Sequence, residues 1–298
     1  MKKIFSIIIL VAFIIWAFFY VKDEVLKHTD VFEPAGGIDR VQGEKTQKTP
    51  ILRFAMVADS ENDNGLLAKA LDQAKGVGVN FVIGLGDWSS VGTTGELVPA
   101  RQIFDKSGLT YYLTSGDHDL WDSRNRGEDA LTNYKQVFGE PTREFDVNGV
   151  QFVVVDNSDI YKGISSDDWQ LLTNALTKQV KLRFVFAHKT PYHPQSSHIM
   201  GEDNPQVADQ AQSFLALLEK GKVDGFFSGD LHFFAQFSSY ASNGGFGGST
   251  YGGKSSAKGV KITTIGAVDA DRNPQGPRFS TVTVYNDYSW DVSDVEIR

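Results

Sequence analysis

Five short segments, each placing polar residues just beyond an apolar run, recur in one order along the chain and constrain its fold more than any other feature. They are Val57-Ala58-Asp59-Ser60-Glu61, Gly84-Leu85-Gly86-Asp87, Ser115-Gly116-Asp117-His118-Asp119, Phe186-Ala187-His188 and Ser228-Gly229-Asp230-Leu231-His232. The preceding runs, 51–57, 81–85, 109–114, 182–186 and 223–227, have the length and composition of buried strands. Loops at the ends of such strands collect along one rim of a sheet, so the carboxylates and imidazoles should meet there. The chain has no cysteine, and oxygen and nitrogen donors without thiolate suit Mn, Fe, Zn or Mg. A carboxylate shared between two such ions gives a bridged geometry suited to attack on phosphate esters.

In this order the segments resemble the motifs of the calcineurin-like metallophosphoesterases: Asp-x-His, Gly-Asp, Gly-Asn-His-Asp/Glu, His and Gly-His-x-His. The resemblance runs over residues 51–298. It takes in Ser166-Asp167-Asp168-Trp169-Gln170-Leu171-Leu172, which looks like the helix start before the fourth motif, and residues 223–232, which look like the strand and loop of the fifth. It implies an α/β fold of two packed mixed β-sheets flanked by helices, two divalent metal ions, and hydrolysis of a phosphate mono- or diester substrate. The implied metal ligands are Asp59, Glu61, Asp87, Asp117, His188, Asp230 and His232. Asp87 would bridge the ions, with Asp59, Glu61 and His232 on one and Asp117, His188 and Asp230 on the other. His118 would face the leaving group as an acid or charge stabiliser, its ring oriented by Asp119.

Three positions depart from the family pattern: Glu61, Asp117 and Asp230 stand where the family has His, Asn and His. All three can ligate a hard cation, yet they raise the shell from two carboxylates to five. Two divalent ions would leave it at −1 rather than +2, which weakens capture of an anionic substrate. Two readings follow. One is a metal-dependent phosphoric ester hydrolase; the alternative is a catalytically weak or inactive relative that uses the fold to bind metal or a partner.

The N-terminus is read separately. Met1-Lys2-Lys3 precedes an apolar run over residues 4–21 whose one polar break is Ser6, about the length that crosses a bilayer. No Ala-x-Ala-like site ends it, which favours an uncleaved signal-anchor, residues 1–21, over a cleaved signal peptide and a secreted domain. Lys2 and Lys3 hold the N-terminus in the cytoplasm by the positive-inside rule, placing the remainder outside. Residues 22–50 are polar, lack hydrophobic periodicity and read as a linker to a phosphoesterase domain over 51–298. Seven of 29 basic and six of 37 acidic residues lie in the first 50, leaving 22 against 31 in the domain. That acidic balance argues against nucleic-acid binding.

Within the domain, Leu66, Leu67, Ala70, Leu71 and Ala74 form a helical stripe, and residues 96–106 offer a second helix. Asn148-Gly149 between two apolar runs is a type I′ hairpin signal, and alternating runs at 281–285 and 289–295 close the chain. Arg124 and Arg126 follow the third motif and are candidates to grip phosphate. His193 and His198, in a Pro-rich loop, are candidates to line the cleft, while Trp88 and Trp121, beside ligand motifs, either wall the cleft or pack. The glycine-rich stretch 244–253 lacks the Lys-Ser/Thr ending of a P-loop and reads as a mobile rim.

Overall fold

A computed structural model describes residues 48–239, 259–271 and 273–298. The anchor and nearly all of the linker, like the glycine-rich stretch, lie outside the described residues. Among those described, no helix is long and apolar enough to cross a membrane.

The chain alternates strand and helix for most of its length. In order it forms β1 (Pro50–Val57), α1 (Asn64–Gly76), β2 (Phe81–Leu85), α2 (Thr94–Ser107), β3 (Thr110–Thr114), a 3-10 turn (His118–Leu120), α3 (Trp121–Asn125) and α4 (Thr132–Phe138). Then come β4 (Arg143–Val147), β5 (Val150–Val154), α5 (Ser166–Leu176), β6 (Leu182–Ala187), α6 (Pro205–Lys220) and β7 (Gly225–Ser228). The last four strands are β8 (Ala235–Ser239), β9 (Val260–Thr264), β10 (Arg278–Tyr285) and β11 (Trp290–Glu296). Lys48 and Thr49 already belong to this fold, since the Asn286 amide donates to the Thr49 carbonyl and Lys48 Nζ donates to Ser289 Oγ.

Two mixed sheets result. One has the order β11-β10-β1-β2-β3, the other β4-β5-β6-β7-β9-β8. In the first, β1, β2 and β3 run parallel while β10 returns antiparallel against β1. In the second, β5, β6, β7 and β9 run parallel, with β4 and β8 antiparallel at the edges. The β4–β5 hairpin turns at Asn148 and Gly149, whose φ values of 53° and 78° are the paired positive angles of a type I′ turn.

Burial follows from alternation along the strands. Phe54, Met56, Phe81 and Ile83 of the first sheet face Phe152, Phe184, Phe186 and Phe227 of the second, making an aromatic layer between the sheets. Phe54 meets Phe152 edge-on at 5.3 Å, and Phe186 stacks on Phe227 at 5.2 Å. The opposite face of the first sheet, including Ala55, Val57 and Val82, packs against Leu67, Leu71 and Ala74 of α1 and Leu97, Ala100 and Phe104 of α2. On the outer face of the second sheet, Val153 and Val185 pack against Leu172 of α5 and Val207, Phe214 and Leu218 of α6. The parallel strands are therefore covered on both faces, as parallel pairing requires.

Helix α6 has no counterpart in the sequence reading above. Its signals are nonetheless local: Asn204 caps it by accepting from the Gln206 amide, Pro205 fills its first turn, and Val207, Ala211, Phe214, Leu215 and Leu218 recur at helical spacing.

Candidate metal centre

The parallel strands β1, β2 and β3 of one sheet and β6 and β7 of the other end at a common rim, and each ends in one of the five polar segments. Backbone hydrogen bonds weld the loops together there. The Asp59 amide donates to Gly86 O, Glu61 to Asp87 O, Gly229 to His188 O, and Asp230 to both carboxylate oxygens of Asp59.

These loops turn sharply, and the turns fall on the donors themselves. Asp59, Glu61, Asp87, Asp230 and His232 take φ values of 55°, 37°, 57°, 66° and 57°, in the left-handed region that non-glycine residues rarely adopt. Each costs on the order of 1 kcal/mol, and such strain concentrates at functional sites. Gly116 completes the turn geometry, because a Cβ there would overlap the Asp87 carboxylate and amide.

The side chains converge in three overlapping groups: Asp59 with Asp87 and His188, Glu61 with Asp87 and His232, and Asp117 with His188 and Asp230. Within each group the ligating atoms lie within 4.8 Å of one another. Asp87 belongs to two groups and so stands where a shared carboxylate would. His232 Nε2 is 3.6 Å from Glu61 Oε1. His188 is fixed by its Nδ1–H, which donates to the Leu85 carbonyl at 2.7 Å, and its Nε2 lies 3.1 Å from Asp117 and 3.6 Å from both Asp87 and Asp230.

One member of the cluster was not singled out in the sequence. Lys189 Nζ sits 2.6 Å from Asp230 Oδ1 and 3.4 Å from Asp117 Oδ1. His198 joins from the far side, its Nε2 3.2 Å from the same Asp230 oxygen and its Nδ1 2.7 Å from Glu202. Asp230 Oδ2 is buried and has no hydrogen-bond partner among the described residues.

Electrostatics divide the site in two. Burial pushes the Asp87 carboxyl well above the ordinary carboxylate range, reinforced by Asp117, Asp119 and Asp59 and opposed by His188. Asp59 is likewise pushed up by burial, against the pull of His232 and His188. Around Lys189 the balance reverses. Burial would raise Asp117, but the His188 hydrogen bond and the Lys189 ammonium bring it down to about 2. Asp230 also falls well below its ordinary value, its burial outweighed first by Lys189 and then by His198. For Lys189 and His188, burial works against the charged form, and the surrounding carboxylates overcome it and hold both above their ordinary values. His198 rises to about 9, chiefly through its hydrogen bond to Asp230.

The remaining expected residues take places of their own. His118 is held by Ser90, whose carbonyl lies 2.9 Å from Nδ1, and its ring stacks on Trp121 at 4.2 Å. Asp119 does not orient that ring. Its Oδ2 accepts from the amides of Asp87 and Gly116, and its Oδ1 from the amides of Trp88 and Ser89 and the Ser89 hydroxyl, so it braces the second motif against the third. Arg126 is engaged by Asp122 and Glu128, and Arg124 lies over the Tyr161 ring with Asp159 at 4.0 Å. Neither guanidinium pairs with a carboxylate of the cluster. His193 Nδ1 accepts from the amides of Gln195 and Ser196, and its ring packs edge-on against Phe237 at 4.8 Å, so it shapes the loop while His198 reaches the site. Trp88 is core, packed on Phe104 at 5.1 Å with its indole N–H donating to Thr114 O.

A family model described as calcineurin-like phosphoesterase matches residues 52–234, more than half of the chain. The chain belongs to the calcineurin-like phosphoesterase family. Among solved structures, purple acid phosphatase PPD1 from yellow lupin (Lupinus luteus) seeds superposes with a TM-score of 0.59 at 14% identity, over 82% of this chain and 51% of its own. TT1561 of Thermus thermophilus superposes at 0.50 and 11% identity, over 84% of this chain and 100% of its own. At these identities the likeness shows the fold, and the chain spans about half the length of the lupin protein. No curated protein sequence matches it.

Family members use divalent metal ions, and part of this cluster fits one. Glu61, Asp87 and His232, with Asp59 beside them, present hard oxygen and imidazole donors. Buried Asp59 and Asp87 have, among the described residues, only the His188 imidazole within ion-pair distance, leaving negative charge that a cation would neutralise. At Asp117 and Asp230 that charge is already met by Lys189 and His198.

Proposed function

We propose that this protein is a metal-dependent phosphoric ester hydrolase, tethered to a membrane through residues 4–21 with its domain on the extracytoplasmic side. The observation that carries the catalytic half is the convergence of Asp59, Glu61, Asp87 and His232 at one rim of a phosphoesterase fold. When bound there, a divalent cation supplies Lewis-acid stabilisation of charge on the phosphoryl oxygens. The family resemblance implies a pair of ions sharing Asp87; the donor set supports the first of them most directly.

The chain's own groups have separate tasks. Left-handed loops hold the donors in place before substrate arrives, which removes reorganisation from the reaction. Ser90 O fixes the Nδ1–H tautomer of His118 and Trp121 fixes its plane, so the ring presents Nε2 outward. In the imidazolium form, with Nδ1–H still on Ser90 O, the second proton sits at Nε2 and would pass to the departing ester oxygen, leaving the neutral Nδ1–H tautomer. The Lys189 and His198 charges reduce the repulsion that five carboxylates impose on a phosphate dianion.

The test is hydrolysis of an aryl phosphate monoester and a diester by the full chain, with and without added Mn, Zn or Mg. Turnover of either that chelation abolishes and metal restores supports the proposal. A metal-binding, folded protein that turns over neither favours the second reading, a noncatalytic metal- or partner-binding relative, for which the extra carboxylates and Lys189 speak. For the tether, Lys2, Lys3 and the apolar run are the support; a protease added to intact cells should digest the domain, and full protection would reverse the orientation.

A further inference from the structure

We propose that the Lys189 ammonium takes the place of the second metal ion, so that this chain binds one divalent cation, at Asp59, Glu61, Asp87 and His232, where the family resemblance implies two. This rests on the reading of the cluster as a metal centre, and it deepens that reading by assigning each of the two positions a different cation.

Position is the first argument. Nζ lies against Oδ1 of both Asp230 and Asp117, the two carboxylates that, with His188 Nε2, make up the third ligand group. A cation bound by those atoms would stand within a few ångströms of the ammonium, and like charges so close in a buried site repel strongly.

The ammonium is also not free to leave. The Lys189 amide donates to Asn157 Oδ1 at 2.9 Å, and Asn157 Nδ2 donates back to the Lys189 carbonyl at 2.7 Å. Asn157 is itself buried, so the backbone that aims the side chain is clamped on both its polar groups. Only 5% of the Lys189 side chain is exposed, and an arriving ion would have to drive a charged group out of a packed wall.

Ligand chemistry agrees. Asp117 and Asp230 stand where the resemblance has the neutral ligands Asn and His. Neutral donors suit a dication whose charge is balanced elsewhere; two carboxylates suit ammonium, which needs anionic acceptors and has no lone-pair geometry to satisfy. The changes that looked like a weakened dinuclear site are, beside Lys189, the two acceptors of an internal ion pair. Glu61, the third departure, falls in the group with Asp87 and His232, which Lys189 does not enter.

The test counts ions without relying on turnover. Full chain is saturated with Mn(II), separated from free metal and analysed for manganese per protein. We expect one ion per chain and the six-line electron paramagnetic resonance spectrum of an isolated Mn(II). Lys189→Ala, checked for folding by circular dichroism, should take up a second ion and show the multiline spectrum of an exchange-coupled pair. Two ions in the wild type would overturn the proposal and leave the hydrolase reading standing. A folded Lys189→Ala protein that still holds one ion would show that the ammonium is not what excludes the second. No bound metal in the wild type would sink the metal-centre reading and this inference with it. Should Lys189→Ala not fold, the wild-type count and spectrum decide alone.

Discussion

Replacing Asp119 by asparagine separates two roles that adjacent sequence positions confuse. The carboxylate accepts five hydrogen bonds, two at Oδ2 and three at Oδ1, at distances of 2.8 to 3.1 Å in a fully buried site. An amide of the same shape has one accepting oxygen and one NH2, which donates. In the better of its two orientations Asp119→Asn keeps the three Oδ1 bonds and turns its NH2 against the amides of Asp87 and Gly116. Two buried N–H groups left unsatisfied cost about 1–3 kcal/mol each, so the variant should lose roughly 2–6 kcal/mol. Urea unfolding of chelated protein measures this without metal linkage, and metal affinity should fall too because one orphaned amide is that of Asp87 itself. His118→Ala is the control. It removes a half-buried ring stacked on Trp121, at a cost of about 1 kcal/mol. If Asp119→Asn instead costs no more stability than His118→Ala and matches that variant's loss of activity, Asp119 acts through the ring after all.

Trp88→Ala should lower stability by about 3–5 kcal/mol, since the indole is fully buried on Phe104; a loss below about 1 kcal/mol by denaturant titration would contradict its place in the core. Asp87→Ala should remove more bound metal than Asp59→Ala, because Asp87 enters both the Glu61–His232 and the Asp59–His188 groups; elemental analysis showing the reverse order would displace Asp87 from the centre. Chelation should lower the melting temperature, and Mn at about 100 times its dissociation constant should restore about 2.7 kcal/mol; an unchanged melting curve would mean that the buried Asp59 and Asp87 have no cation to lose.

What the sequence makes legible depends on how local the determining physics is. Strands β1, β2, β3, β6 and β7 are readable because each is a short apolar run closed by polar residues, and the Asn148-Gly149 turn because its backbone demand is met by residue type alone. The convergence of Asp59, Asp87, Asp117, His188, Asp230 and His232 follows once those strands share a rim. Side-chain direction past the strand end does not. Lys189 adjoins His188 in sequence, yet its ammonium points inward because Asn157, 32 residues away, clamps its backbone and Asp230, 41 residues away, accepts from its Nζ. His193 and His198 are equivalent by composition, and aromatic packing on Phe233 and Phe237 takes one while Asp230 takes the other. The guanidinium of Arg126 is claimed by Asp122 and Glu128, near neighbours whose pull the spacing alone does not rank against a distant phosphate.

The left-handed backbone at Asp59, Glu61, Asp87 and His232 sets stability and function against each other at those same positions. Glycine adopts such angles without penalty, so substituting it there would relieve on the order of 1 kcal/mol of strain per position while deleting a donor. A screen that rewarded thermal tolerance of the metal-free chain alone would therefore dismantle the centre, and would register each step as an improvement. Only selection in the presence of the ion, whose binding free energy is lost with every donor removed, would keep these residues in place.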